Sequence, residues 1–109
     1  MTKPKATNYF RTEPEKLNCA QSILKVFQVP DNVVAKFRKY GGGRAPEGIC
    51  GALFSADYLL KQQGKNSIQE EFRAKAGAIL CRELRKTKTL CESRVNIADE
   101  LLTEKLTDF

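Results

Sequence analysis

The residues of this chain best able to do chemistry are its four cysteines. Cys19, Cys50, Cys81 and Cys91 stand 31, 31 and 10 positions apart. No pair forms a C-x-x-C, so zinc ribbons, ferredoxin-type loops and thioredoxin-type dithiols are all unmatched by spacing. A site using all four would have to be assembled from separate helices, as helical bundles build their metal sites. The chain has no histidine, which removes Ser-His-Asp and Cys-His catalytic units and any His-ligated zinc or haem. Cys19, Cys50, Cys81 and Cys91 are therefore the candidate metal ligands, for an Fe–S cluster or for zinc. They are equally the candidate partners of a dithiol–disulfide couple. A disulfide closing the short interval between Cys81 and Cys91 would add roughly 2–3 kcal/mol in the loop-entropy account.

Cys50 follows a glycine-rich segment and opens an apolar helix. Helix-end amides and the nearby Arg44 would favour its thiolate, which marks it as the most reactive or most tightly ligating of the four. Cys19, by contrast, reads as a mid-helix residue. Cys81 falls beside Arg82, whose charge would lower a thiol pKa and offset that of a thiolate-ligated cluster. Gly41-Gly42-Gly43-Arg44 lacks the G-x-x-x-x-G-K-[ST] pattern and follows a helix instead of a strand. It reads as a tight interhelical turn that lets Cys50 approach its neighbours, not as a phosphate loop.

The elements that must hold these residues are helical. Residues 1–12 read as a flexible N-terminal segment and 13–109 as one helical domain carrying the four cysteines. Thr12-Glu13-Pro14-Glu15 offers N-terminal helix chemistry for a helix from Glu13 to about Gln28, with Leu17, Ala20, Ile23, Leu24 and Phe27 on one face. Pro30 and Asp31 cap a short second helix that ends at Tyr40. A third, from about Glu47 to Gln63, is apolar almost all round and so is the buried central helix. Ser67-Ile68-Gln69-Glu70 fits a capping box launching a fourth through Phe72, Ala76, Ile79 and Leu80. Residues 81–88 either continue it or form a loop, and a last helix runs from Leu90 to about Leu106. The expected fold is an all-α bundle of four or five helices. Its expected core comprises Leu17, Leu24, Phe27, Phe37, Leu53, Phe54, Phe72, Ile79, Val95 and Leu102.

At 109 residues the chain has room for one modest core. The net charge of +6, from 19 basic and 13 acidic residues, suits an anionic partner or cofactor and also keeps a protein soluble. The tightest basic cluster is Arg82, Arg85, Lys86 and Lys88. There is no tryptophan, and the aromatic residues do not interleave with a basic stripe, so nucleic acid is not an expected partner. No apolar stretch approaches the ~18 residues of a membrane span, and no membrane insertion is expected. The polar, basic stretch from Met1 to Arg11 is not a secretory signal, so the expected location is cytoplasmic. There, four cysteines point to metal or redox use before structural disulfides.

Asn18-Cys19-Ala20-Gln21-Ser22, Gly41-Gly42-Gly43, Gly48-Ile49-Cys50-Gly51-Ala52-Leu53, Cys81-Arg82-Glu83-Leu84 and Cys91 follow one another in an order that resembles a known family. This is the bacterial and archaeal family of redox-active proteins named for its cysteine signature, C_GCAxxG_C_C. The likeness runs from about Asn18 to the end of the chain. It implies a four-cysteine protein that carries an Fe–S cluster or another redox group. Such proteins are often encoded near oxidoreductases or transporters, so an oxidoreductase or a transporter-associated protein is the implied partner. Cys19, Cys50, Cys81 and Cys91 take the four signature positions, with Gly51 beside the second. Ser55 stands where the signature ends in glycine, which is expected to loosen helix packing slightly. Residues 1–18 do not match the twin-arginine export signal of some relatives, and an exported, cofactor-loaded form is not expected.

Two functions follow. One is a redox-active protein that uses its cysteines to bind a metal or Fe–S cluster, or as a dithiol–disulfide couple in electron transfer. The other is a zinc- or disulfide-stapled helical binding module without redox turnover. No set of residues for hydrolysis or group transfer is present, so no enzymatic activity is assigned.

Overall fold

Asn18 decides where the first helix starts. In the computed structural model, which describes residues 5–11, 16–41, 44–86 and 91–106, Asn18 Oδ1 accepts from the Gln21 N–H at 2.8 Å. Gln21 Oε1 in turn accepts from the Asn18 N–H at 3.2 Å. This reciprocal cap satisfies two backbone donors and begins α1 at Cys19–Val26. The helix therefore starts six residues later than the Glu13 start expected, and the Thr12–Glu15 signals lie outside the described residues. Leu17 pairs instead with Phe10 in an isolated parallel bridge, and the Arg11 N–H donates to the Leu17 carbonyl at 2.8 Å.

Helix α2, Asp31–Lys36, passes into a 3-10 turn over Phe37–Tyr40. The Arg44 N–H and Nε then both donate to the Gly41 carbonyl and close the following turn. The third helix was expected from Glu47. Glu47 and Gly48 instead take left-handed backbone angles, φ 62° and 73°, which no α-helix can contain. Ile49 leaves this turn extended and forms an antiparallel bridge to Leu80, and α3 begins at Gly51–Gln62.

Ser67 and Asp57 together start α4, Gln69–Ala76. The Asp57 carboxylate accepts from the Ser67 hydroxyl at 2.7 Å and from the Ile68 N–H at 3.0 Å. The Ser67 Oγ accepts from the Gln69 N–H. Gly77, at φ 99°, stops the helix, so Ile79 and Leu80 lie beyond it in an extended link. Then follow the single turn α5, Cys81–Leu84, and the long α6, Cys91–Leu106. The chain is an all-α bundle, and its described residues contain no strand.

Helices α1, α3 and α6 pack on one another at the centre. Helix α2 covers α1, and α4 lies against α6 and α3. One group of apolar side chains gathers Ile23, Leu53, Phe72, Val95 and Leu102. A second sets Leu17, Leu24 and Phe37 beneath a partly exposed aromatic group of Tyr40, Phe54 and Tyr58. Seven of the ten expected core residues are buried. Phe27, Phe54 and Ile79 pack on the core but keep one side exposed, because Phe27 ends a helix, Phe54 faces the aromatic edge and Ile79 lies in the link.

The N-terminal segment is in part docked. Ala6 is fully buried in a 3-10 turn over Ala6–Asn8. Its N–H donates to the buried carboxylate of Asp99 on α6 at 2.8 Å.

Ser55 does not loosen the packing of α3. It is fully buried, and its hydroxyl donates to the Ala20 carbonyl on α1 at 2.8 Å, drawing the two central helices together. Ser55→Ala should lower stability by about 1 kcal/mol through loss of this bond. Ser55→Gly should cost roughly 1 kcal/mol more through helix propensity. Urea unfolding at constant m-value would measure both, and a Gly variant as stable as the parent would contradict the assignment.

Candidate functional site

Each cysteine stands where a helix begins. Cys19, Cys81 and Cys91 are the first residues of α1, α5 and α6, and Cys50 is the N-cap of α3. Two backbone bridges help to bring these starts together. The pairing of Ile49 with Leu80 joins the residue before Cys50 to the residue before Cys81, and the Cys50 N–H donates to the Ile79 carbonyl at 2.8 Å. The pairing of Phe10 with Leu17 carries Arg11 toward the start of α1.

The four thiols line one cavity of about 100 Å³, together with Phe10, Arg11, Asn18, Gly51, Arg85 and Arg94. Cys50 and Cys81 are buried in its wall, whereas Cys19 and Cys91 are partly exposed. All four are unbridged. Among the described residues, no three Cys, Asp or Glu side chains are gathered in a set that could hold a single metal ion. The positive ends of α1, α3 and α6 meet at this cavity and favour negative charge within it.

Glycine permits the closest approach. A β-carbon on Gly51 would come within 2.8 Å of Cys19 Sγ and within 2.8 Å of the Tyr40 carbonyl oxygen. A β-carbon on Gly41 would meet the side-chain amide of Asn18, also at 2.8 Å. That amide donates to the Arg38 carbonyl while its oxygen caps α1. Both glycines thus serve the start of α1, which positions Cys19. Gly42 and Gly43 lie outside the described residues.

The cations that face the thiols are not those the sequence marked. Arg44 is exposed and holds its own turn closed, and Arg82 is exposed and absent from the cavity lining. Arg82 follows Cys81 by one residue, and neighbours in sequence point to different sides of a helix. Arg85 follows Cys81 by four and Arg94 follows Cys91 by three, the two spacings that share a helix face. Those spacings were the available signal for Arg85 and Arg94. Arg94 is buried, 4% exposed, and its Nη1 donates to Cys91 Sγ at 3.6 Å. Arg11 arrives through the Phe10–Leu17 bridge, for which the sequence offers no comparable signal.

Burial opposes the thiolate expected at Cys50. The N–H groups of Ala52 and Leu53 lie against its sulfur and, with the charge of Arg94, favour thiolate. Desolvation outweighs them, aided by repulsion from Cys19, and the Cys50 thiol is pushed up to about 12. The Cys19 thiol is also raised, by burial first and then by the neighbouring Cys91 and Cys81. Cys19 is a helix-start residue too, with the Ala20 and Ala52 amides against its sulfur. The Ala52 N–H therefore faces both Cys19 and Cys50.

Compared with protein-family models, with curated proteins and with solved structures, the chain finds no match. Its fold and cavity define an all-α bundle with four thiols at converging helix starts. No helix among the described residues is long and apolar enough to cross a membrane.

Two outcomes follow. Gly51→Ala should destabilise the chain by about 1–3 kcal/mol through overpacking, and it should speed alkylation of Cys19 as its sulfur is displaced. Site-resolved mass spectrometry would show unchanged labelling if the contact were unimportant. The second outcome concerns pH. Between the ordinary thiol value of 9.0 and about 12, the unfolded chain loses a proton that folded Cys50 keeps. Stability should therefore fall as pH rises through that window and be insensitive to this group below it. Cys50→Ala should flatten the fall in a pH series of urea midpoints.

Proposed function

We propose that Cys19, Cys50, Cys81 and Cys91 form one redox site that binds an Fe–S cluster for electron transfer. The observation that carries this reading is the gathering of all four thiols, from four different helix starts, around one cavity. Four cysteines lining one cavity would supply the donor set of a thiolate-ligated cluster. A lone tetrahedral ion would need every sulfur ~2.3 Å from one centre.

Burial of Cys50 and Cys19 weighs against disulfide exchange at these two thiols. Exchange requires thiolate, and burial keeps Cys50 and Cys19 protonated near neutral pH. A bound metal deprotonates a coordinating thiol outright. Helix-end amides and the guanidinium groups of Arg11, Arg85 and Arg94 would then offset the charge of four thiolates. The motif order that resembles the C_GCAxxG_C_C family agrees with this reading. Reduced, metal-ligating thiols also agree with a cytoplasmic setting and an oxidoreductase or transporter-associated partner. The same cavity provides no nucleophile–base pair, and the chain is read as an electron carrier.

Anaerobic reconstitution with ferrous iron and sulfide tests the proposal. The loaded chain should show a broad visible absorption that bleaches with dithionite, with iron and acid-labile sulfide in similar amounts. Cys50→Ala and Cys81→Ala should each reduce iron content severalfold. Zinc uptake without iron uptake would favour the stapled-module reading, and reversible loss of two thiols without metal would favour the dithiol couple.

A further inference from the structure

Arg94 places a positive charge inside the wall of the thiol cavity. It is 4% exposed, stands one turn after Cys91 on α6, and donates to Cys91 Sγ. Its charge also reaches Cys50 at the start of α3, so one guanidinium acts on cysteines of two different helices. Cys19 of α1, Cys81 of α5 and Arg85 just after α5 line the same space. Four ionised thiols bring four negative charges, of which a divalent core neutralises only half. Of the three lining arginines, Arg11 and Arg85 are exposed, where water and salt weaken their effect. Arg94 acts from a less polar medium, where a charge is felt more strongly.

We propose that Arg94 fits the cavity to a group of net negative charge and raises that group's reduction potential. The inference rests on the cluster reading above. In the step concerned, one electron arrives from an external one-electron reductant. No bond of the protein is made or broken and no proton needs to move, so fixed positive charge must meet the added negative charge. Arg94 is a positioning residue in this step. It orients Cys91 through a hydrogen bond and stabilises the more negative state through its charge.

Spectroelectrochemical titration of the iron-loaded chain, with dithionite as reductant, compares the parent with Arg94→Gln, Arg94→Met and Arg94→Lys. Gln and Met should disfavour the reduced state about tenfold, which lowers the midpoint by ~59 mV for a one-electron couple. Lys keeps the charge while losing the planar fork and should stay within about threefold of the parent. Thermal unfolding of the unloaded variants identifies those that fold. Met, apolar and of similar reach, serves where Gln does not fold. A folded variant that takes up less iron, restored by Lys, also supports the inference. A folded, loaded Gln or Met variant with the parent's midpoint overturns it and leaves the cluster reading standing. A parent chain that takes up no iron overturns both.

Discussion

Cys19 Sγ lies over the bare Cα of Gly51, and the geometry of the cavity depends on that approach. A single methyl group at Gly51 would collide with the sulfur and with the Tyr40 backbone together. The contact holds the start of α1 against the start of α3, and the amide of Ala52 faces the sulfurs of both Cys19 and Cys50. Further along the same helices, the buried hydroxyl of Ser55 ties α3 to the Ala20 carbonyl. Two polar or small residues on one face of α3 thus set its distance from α1, where larger apolar side chains would hold the helices apart.

Around that contact, opposing electrostatic effects are balanced by burial. Converging helix starts and three arginines favour negative charge in the cavity. Desolvation of Cys50 and Cys19 resists it and keeps those thiols neutral. Removing a proton from either of these two thiols costs free energy that the helix-end amides alone do not offset.

The helices themselves were legible from local chemistry wherever apolar periodicity and end signals agreed, as in α2 and α6. They were misplaced where the backbone departs from what side-chain types suggest. Asn18 and Gln21 form a capping box whose spacing is visible, yet the acids and proline at Thr12–Glu15 make an earlier start look better. Glu47 adopts a left-handed conformation unusual for its residue type, so the start of α3 falls after it. Of the site, the four cysteines and Gly51 were legible, and Arg82 and Arg44 were misleading because proximity in sequence is not proximity on a helix face. Arg85 and Arg94 could have been found from spacings of four and three residues.

By itself, the sequence determined the composition of the site. With no histidine and four cysteines, a soft-metal site would have to draw most of its ligands from thiols, and the helical periodicity set those thiols on separate elements. Only the tertiary structure decided that these elements present their starts to one another, because that depends on pairings between residues far apart in the chain: Ile49 with Leu80, Phe10 with Leu17, and Gly51 with Cys19. Tertiary structure also decided the protonation preference of Cys50 and Cys19. A helix start favours thiolate wherever it occurs, whereas desolvation depends on what packs around it, and around Cys50 burial is the larger effect.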